Sequence, residues 1–355
     1  MTRASEVAKI FKSWAVENRL MGEVLPSEII SDDDKDELYD SLRITAANEQ
    51  ALRIKAISAV GFNDAANEVL VFTRLKLTTA QLKTLPTEYN EEIKIKYLHG
   101  GVASASVPNS GVTKEPYNIF NEKYTCGSSI HPVRAIGAGT LGALVIAPDG
   151  EIFGLSNNHV SGMSNYAQIG EKILAPGHID VEANGINPFT IGHHKIALNL
   201  GFGSPDNVDI DNNNDAALIQ LTDSNWLSSM QGQAYDTPAD CIDLLAGYLV
   251  QKVGRTTGHT SGTVIAQIVG ASPVGYNVHG QGNHVAYFND VFVVEGIGEP
   301  FSLSGDSGSL VTTTLNNVKY GVGLIFAGDG THSYILPLKP ILNAFNVRLH
   351  NNHHV

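Results

Sequence analysis

The segment SLSGDSGSLV, residues 302–311, places Ser307 directly after Asp306 and between Gly305 and Gly308, with apolar residues on both sides. Glycine, aspartate and serine are common turn residues, so the segment could be a simple connection between two strands. It could also present a nucleophilic serine, but a serine hydroxyl is a weak nucleophile unless a base and an orienting acid lie beside it. The second interpretation therefore requires a histidine and a carboxylate elsewhere in the chain.

Two residues meet this requirement at the ends of apolar segments. His159 follows the apolar segment in FGLSNNHVSG, and Asp215 directly precedes the apolar segment in DNNNDAALIQL. Each residue alone has an ordinary explanation, as the end of a strand or as a turn acid. Together with Ser307 they follow the order His, Asp, Ser along the chain, which is the order of the chymotrypsin-type catalytic triad.

The elements that would position these side chains have the pattern of an all-β protein. The chain has 355 residues, of which 43% are hydrophobic and 17% charged, and its 35 glycines are typical of a folded protein rich in turns. Over residues 137–345, short apolar segments alternate with Gly, Asn and Asp turns, and APDGE and TLNNV are typical hairpin turns. This pattern predicts an all-β sandwich or a pair of barrels, followed by a short tail over residues 346–355.

The region before residue 137 has a different composition. Residues 1–56 carry apolar side chains at helical spacing, and we predict two helices with a break near Pro26. Residues 57–100 contain two strand-like segments around a short helical one, which predicts a small βαβ unit. Residues 101–136 begin with GVASASVPNSGVTKEP, which is rich in small residues, and we predict a linker there.

The charge of the chain excludes several partners. A formal net charge of −13 repels nucleic acid and anionic membrane surfaces. The sequence contains neither an apolar run long enough to span a bilayer nor a secretion signal, so we expect a cytoplasmic protein. Its two cysteines, Cys126 and Cys241, are expected to be free thiols, although a single disulfide remains an alternative.

Three segments have some features of metal sites. DIDNNND, residues 209–215, begins like a calcium loop but has Asn214 in place of the turn glycine and Gln220 in place of the bidentate glutamate. The pair His193 and His194 and the terminal HNNHHV have no HExxH motif or cysteine partner. We expect neither a metal nor a cofactor.

A resemblance to a known family is carried by LSNNHV, NDAALIQL, VGRTTGHTSGTV, and GDSGSLV followed by GVGLIFAG. Over about residues 137–345 the chain resembles the bacterial-type branch of the trypsin-like, chymotrypsin-fold serine peptidases. This resemblance implies a double six-stranded antiparallel β-barrel that hydrolyses peptide bonds through an acyl-enzyme. Ser307 would be the nucleophile, His159 the general base and Asp215 the residue that orients the imidazole, while the backbone amides of Gly305 and Ser307 would form the oxyanion hole.

The resemblance also suggests substrate-binding residues and departures from the family pattern. Phe301 stands six residues before Ser307, where trypsin has its specificity acid, which argues against a preference for Lys or Arg. Ser309 replaces a glycine beside the substrate cleft, and Phe326 lies in the strand expected to pair with substrate. No segment resembles the free N-terminus that activates digestive zymogens. The enzyme would therefore either fold in an active state or be controlled by its N-terminal region.

Three functional hypotheses follow. The first is a serine endopeptidase that acts on a protein or peptide substrate, with residues 1–56 as a candidate surface for a protein partner. The second is a catalytically silent homologue that binds an extended peptide by strand addition, as an adaptor. The third is an esterase-like or purely self-directed activity. Self-cleavage is expected within residues 101–117, a segment of mostly small, uncharged side chains that includes Val102, Ala103, Ala105 and Val107.

Overall fold

Short apolar segments form strands from residue 57 onward in the computed structural model. The structure describes residues 3–21, 30, 35–105, 116–182, 185–278 and 280–355. Pro26 and Val107, which entered the sequence predictions, lie outside these ranges. No helix within the ranges is both long and apolar enough to span a bilayer. Cys126 and Cys241 are free thiols, as predicted.

Three helices precede the first strand among the described residues, where the sequence predicts two. Helix α1 buries Val7, Phe11 and Trp14, which lie three and four residues apart and therefore on one side of the helix. The second predicted helix is divided, because the Thr45 side chain accepts a hydrogen bond from the Asn48 amide and starts a new helix. The helices are α1 (Ala4–Glu17), α2 (Lys35–Asp40) and α3 (Ala46–Lys55).

The strands and the helix of residues 57–100 are continuous with the sheet of the second barrel. Strands β2 and β4 are parallel, with helix α4 between them along the chain. Strand β1 pairs antiparallel with β2 at one edge and with a strand of the second barrel at the other, where Gly61 lies opposite Ile268. The elements are β1 (Ile57–Asn63), β2 (Glu68–Thr73), α4 (Thr79–Thr84), β3 (Glu88–Tyr89), β4 (Ile93–His99) and β5 (Ala103–Ser104).

The first barrel is an open half-barrel. Six antiparallel strands pair in the order β10, β11, β14, β13, β12, β8 around a core that includes Ile130, Leu144 and Ile219. The elements are β6 (Ile119–Phe120), β7 (Lys123–Cys126), β8 (Ser129–Pro132), β9 (Gly139–Thr140), β10 (Ala143–Ile146), β11 (Ile152–Ser156), α5 (Asn158–Ser161), β12 (Lys172–Ala175), β13 (Phe189–Ala197), β14 (Ala217–Leu221), β15 (Leu227–Gln231) and β16 (Tyr235–Asp236), with 3₁₀ turns at His178–Asp180, Pro205–Asn207 and Ser224–Trp226.

The second barrel is closed. Its strands pair in the order β17, β18, β21, β24, β23, β22 and return to β17, with all neighbours antiparallel. The elements are β17 (Leu249–Gly254), β18 (Gly258–Ile268), β19 (Ser272–Val278), β20 (Gly282–Phe288), β21 (Phe292–Gly296), β22 (Leu310–Leu315), β23 (Val318–Gly328), β24 (Ser333–Pro337), α6 (Leu338–Phe345) and β25 (Arg348–Leu349). The predicted mainly β, chymotrypsin-like double-barrel fold is thereby confirmed.

One apolar core connects the two barrels. Leu155 and Leu218 of the first barrel belong to the same buried cluster as Phe326 and Leu336 of the second. Because burial of apolar surface stabilises without fixing directions, this core holds the barrels together and leaves their exact orientation to polar contacts. The cleft between the barrels is where the sequence places its candidate residues.

Strands extend beyond both predicted boundaries of the barrel region, residues 137 and 345. Strands β5 to β8 lie within the predicted linker, and β25 lies within the predicted tail. Strand β25 pairs with β10, where Leu349 lies opposite Val145. Strands of two to four residues are too short to show a clear alternation in the sequence, and their pairing depends on neighbours that are distant along the chain.

Candidate active site

His159 and Asp215 lie side by side because the strands next to them are paired. His159 is on the one-turn helix α5 after β11, and Asp215 lies two residues before β14, where Ser156 and Ala217 face each other. His159 Nδ1 lies 2.5 Å from Asp215 Oδ2, and the His159 backbone amide donates to Asp215 Oδ1 at 2.9 Å. The carboxylate thus fixes both the backbone and the ring of the histidine, and directs the Nε2 atom away from itself.

Asp215 has a further partner that the sequence analysis missed. The Tyr276 hydroxyl, on β19, donates to Asp215 Oδ2 at 2.9 Å, and the Tyr276 and His159 rings meet edge to face with centroids 5.8 Å apart. Burial, together with the Asp215 carboxylate, raises the pKa of Tyr276 well above its ordinary value, so the hydroxyl keeps its proton and remains a donor. In the sequence, Tyr276 is only one apolar residue of a strand.

Ser307 lies in the same cleft as His159. This cleft has a volume of about 340 Å³, and its lining also includes Gly305, Tyr276 and Ala105. His159 Nε2 is buried and has no hydrogen-bond partner among the described residues. The structure therefore brings the three predicted residues together, with the available ring nitrogen and the serine in one cleft.

A second histidine, His131, lines the cleft in a different environment. Burial lowers the pKa of its imidazole to about 4, so the ring is neutral near pH 7. Its Nδ1 lies 3.3 Å from the Pro132 carbonyl oxygen rather than beside a carboxylate. His131 thus lacks the acid partner that His159 has.

The loop around Ser307 leaves two backbone amides unused. The amides of Asp306, Gly308 and Ser309 donate to backbone carbonyl groups, whereas those of Gly305 and Ser307 donate to no acceptor in the described part of the chain. Gly305 and Gly308 have φ values of +98° and +93°, which side chains rarely adopt. The two unused amides are those that the sequence analysis assigns to an oxyanion hole.

Asp306 anchors this loop to the turn between β17 and β18. Its buried carboxylate accepts hydrogen bonds from the backbone amides of Thr256, Thr257 and Leu303 and from the Thr257 hydroxyl. Lys252 Nζ, fully buried, lies 3.6 Å from Asp306 Oδ2. The sequence analysis missed Lys252, the cationic partner of Asp306, because it lies 54 positions earlier in an ordinary strand segment.

The three predicted substrate-binding side chains do not reach the cleft. Phe301 is buried in the core of the second barrel, and Phe326 packs against Phe288 with ring centroids 5.1 Å apart. Ser309 is buried, and its hydroxyl donates to the Asp306 carbonyl oxygen at 2.6 Å. Phe326 is on β23, where side chains alternate between the two faces, whereas Phe301 and Ser309 lie in the loop before β22. A position near Ser307 in sequence therefore does not determine which side chains face the cleft.

Comparisons with known proteins match parts of the chain. The family model described as the Nal1 C-terminal domain matches residues 232–342. Protein NARROW LEAF 1 of Oryza sativa subsp. japonica is 36% identical over 89 residues, which cover 24% of this chain and 14% of the rice protein. The chain thus matches only a small part of the length of this relative.

Solved structures of bacterial chymotrypsin-like serine proteases resemble the chain over about three fifths of its length. Thermobifida fusca protease A is 14% identical with a TM-score of 0.41, and the match covers 64% of this chain and 98% of that one. Nocardiopsis protease is 19% identical with a TM-score of 0.39, covering 62% and 95%. A glutamic acid-specific serine protease is 17% identical with a TM-score of 0.40, covering 64% and 100%.

The buried contact between Lys252 and Asp306 predicts a large effect on stability. Lys252→Met would leave the Asp306 carboxylate without its cation, and we expect the free energy of unfolding to fall by about 3–5 kcal/mol. The matched control is Lys339→Met, whose exposed pair with Asp243 should contribute less than about 1 kcal/mol. Urea unfolding of both variants measures the difference. Equal small losses would show that the amide and hydroxyl donors alone compensate the Asp306 charge.

Proposed function

We propose that the chain is a serine endopeptidase. The observation that supports this most is the meeting, in one cleft, of Ser307, the Asp215-bound imidazole of His159 and the two unused amides of the Ser307 loop. A homologue that has lost catalytic activity would not require a buried carboxylate that orients the His159 ring. The proposed substrate is a protein or peptide, and the proposed compartment is the cytoplasm.

The proposed reaction assigns a chemical role to each of these groups. His159 Nε2 accepts the proton of the Ser307 hydroxyl as the oxygen attacks the scissile carbonyl carbon, and Asp215 stabilises the imidazolium that forms. The amides of Gly305 and Ser307 donate to the oxyanion of the tetrahedral intermediate. The proton then passes from His159 to the leaving amine, and the acyl-enzyme remains. Water, activated by the same imidazole, releases the acid product and regenerates Ser307.

The N-terminal region is proposed to regulate this cleft. Strand β5 lies between β19 and β23, with Ser104 opposite Gly275 on one side and opposite Gly328 on the other. Strand β23 also contacts the nucleophile loop, since Ile325 O accepts a hydrogen bond from the Gly308 amide at 2.8 Å.

An extended substrate binds by adding a strand to an open sheet edge. The edge of β23 at Gly328 is already paired with the chain's own Ser104, and Ala105 lines the cleft beside Ser307. Residues 103–105 would therefore compete with substrate, and the adjoining part of residues 101–117 is the proposed site of self-cleavage.

The assignment of the nucleophile predicts selective chemical labelling. A fluorophosphonate probe should label the wild type, and Ser307→Ala should abolish both labelling and peptide cleavage because it removes the attacking oxygen. Ser309→Ala is the matched control, since the Ser309 hydroxyl is buried and committed to the Asp306 carbonyl oxygen. Labelling that persists in Ser307→Ala would contradict the assignment. A folded wild type that takes up no probe would instead favour the silent peptide-binding homologue.

The assignment of the orienting acid distinguishes Asp215 from a near neighbour. Asp215→Asn should lower kcat on the order of 10⁴-fold, because the amide favours the wrong tautomer of the His159 ring. Asp211→Asn serves as the control, since the exposed Asp211 carboxylate accepts a hydrogen bond from the Asn289 side chain at 2.7 Å. Steady-state kinetics with a peptide substrate measure both variants. A larger loss in the Asp211 variant would transfer the role to that residue.

The proposed competition by β5 predicts an activating substitution. Ala105→Pro removes the amide that donates to Gly275 O at 2.9 Å, which should weaken β5. We expect kcat/KM for an extended peptide to rise several-fold, while hydrolysis of a single-residue ester, which needs no strand pairing, stays unchanged. Ala105→Ser keeps the amide and is the control. An unchanged kcat/KM for the extended peptide in the proline variant would argue against competition.

The proposed self-cleavage is tested by measuring the masses of the wild-type and Ser307→Ala proteins after incubation. Wild type and Ser307→Ala are incubated side by side, and intact-mass spectrometry maps the fragments. Fragments that end within residues 101–117 should form only in the wild type. A wild type that cuts an added peptide and remains full length would leave the N-terminal region as a permanent regulatory element.

A further inference from the structure

Thr256, in the turn between β17 and β18, contacts the peptide group that carries the Gly305 amide. Its hydroxyl donates to the Ser304 carbonyl oxygen at 2.7 Å. We propose that Thr256 is a positioning residue that holds the Ser304–Gly305 peptide with its N–H toward the cleft. This inference rests on the proposed peptidase function, because the Gly305 amide is one of the two assigned oxyanion donors.

The geometry of a peptide bond explains how a contact to the carbonyl oxygen controls the amide. In a trans peptide the C=O and N–H groups point in opposite directions, so a donor that holds the oxygen on one side fixes the hydrogen on the other. Ser304 and Gly305 both line the cleft with Ser307. The Thr256 hydroxyl therefore binds the side of the peptide that is turned away from the position where an oxyanion would form.

Gly305 makes such a restraint necessary. At a φ of +98° it has a conformation that only glycine adopts readily, and a peptide next to glycine rotates at little steric cost. A rotated Ser304–Gly305 peptide would present a carbonyl oxygen to the cleft instead of an N–H donor. The following peptide is restrained separately, since the Thr140 hydroxyl donates to the Gly305 carbonyl oxygen at 2.9 Å. The two peptide groups that flank Gly305 therefore each accept a hydrogen bond from a threonine hydroxyl.

Thr256 is itself held by a buried ion pair between the barrels. Arg255 Nη1 donates to Thr256 Oγ1 at 3.0 Å, which directs the single hydroxyl proton toward Ser304. The Arg255 guanidinium forms a bidentate pair with Asp180 of the first barrel, with Nε 2.9 Å from Oδ2 and Nη2 on Oδ1. Ser129 also donates to Asp180 Oδ2, at 2.5 Å. A side chain at position 305 would collide with Arg255 and Thr256, so the guanidinium packs directly against this peptide.

The experiment separates positioning from simple packing. Thr256→Val keeps the shape of the side chain and removes the hydroxyl, whereas Thr256→Ser keeps the hydroxyl. Thr313→Val is the matched control, because Thr313 is a buried threonine whose hydroxyl donates to Leu249 O at 2.8 Å and which is not among the cleft residues. For each variant we would measure kcat and KM with a peptide substrate, the affinity for a peptide aldehyde whose adduct carries an oxyanion, and the urea midpoint.

We expect Thr256→Val to lower kcat about 10²-fold, as for the loss of one oxyanion donor, with KM unchanged. Aldehyde affinity should fall in parallel, and Thr256→Ser should restore both to within a few-fold. Thr313→Val should shift the urea midpoint and leave kcat unchanged. A kcat of Thr256→Val equal to that of Thr313→Val, or an equal loss in Thr256→Ser, would overturn the proposal.

A second variant keeps the proposal testable if Thr256→Val folds poorly. Asp180→Asn retains the shape of the carboxylate and weakens its hold on Arg255, and we expect kcat to fall at constant KM in this variant as well. An unchanged kcat in a folded Asp180→Asn protein would contradict the role of the ion pair. A wild type without labelling or cleavage would refute the peptidase function itself, which distinguishes that failure from a failure of the positioning role.

Discussion

The turn between β17 and β18 lies between two buried carboxylates, Asp180 of the first barrel and Asp306 of the Ser307 loop. A carboxylate removed from water costs several kcal/mol unless cations and hydrogen-bond donors surround it. Here one turn supplies them, with Arg255 on Asp180 and the amides of Thr256 and Thr257 on Asp306. Neither the first barrel nor the Ser307 loop can shift relative to this turn without leaving a buried charge uncompensated. The Ser307 loop is therefore positioned by electrostatics as well as by apolar packing.

The remaining groups of the cleft come from three other parts of the chain. The pairing of β11 with β14 places His159 beside Asp215, and β19 brings the Tyr276 hydroxyl to the same carboxylate. Strand β23 supplies Ile325 O for the Gly308 amide. Each contact has a defined direction and joins segments that are distant in sequence. The shared apolar core supplies the free energy of association, and these hydrogen bonds select one arrangement of the barrels.

The sequence predicts the fold and the grouping of His159, Asp215 and Ser307 because those signals are local: short apolar segments, turn residues and an order of residue types. It does not reveal Lys252 or Tyr276, since their partners lie 54 and 61 positions away and nothing in their own segments marks them as polar partners. The burial of Phe326 was missed for a related reason. Which face of β23 points into the core depends on the pairing register, and register is a property of the whole sheet.

The N-terminal region and the cleft are connected through the sheet rather than through a free linker. Gly61 of β1 lies opposite Ile268 of β18, and buried Lys12 of α1 donates to the Val269 carbonyl oxygen at 2.6 Å. Residues 103–104 then enter the sheet between β19 and β23. A cut within residues 101–117 would consequently break the chain without releasing the helices and β1, because pairing and packing would still hold them on the second barrel. Cleavage there would act by freeing the edge of β23, and the N-terminal region would remain bound to the second barrel.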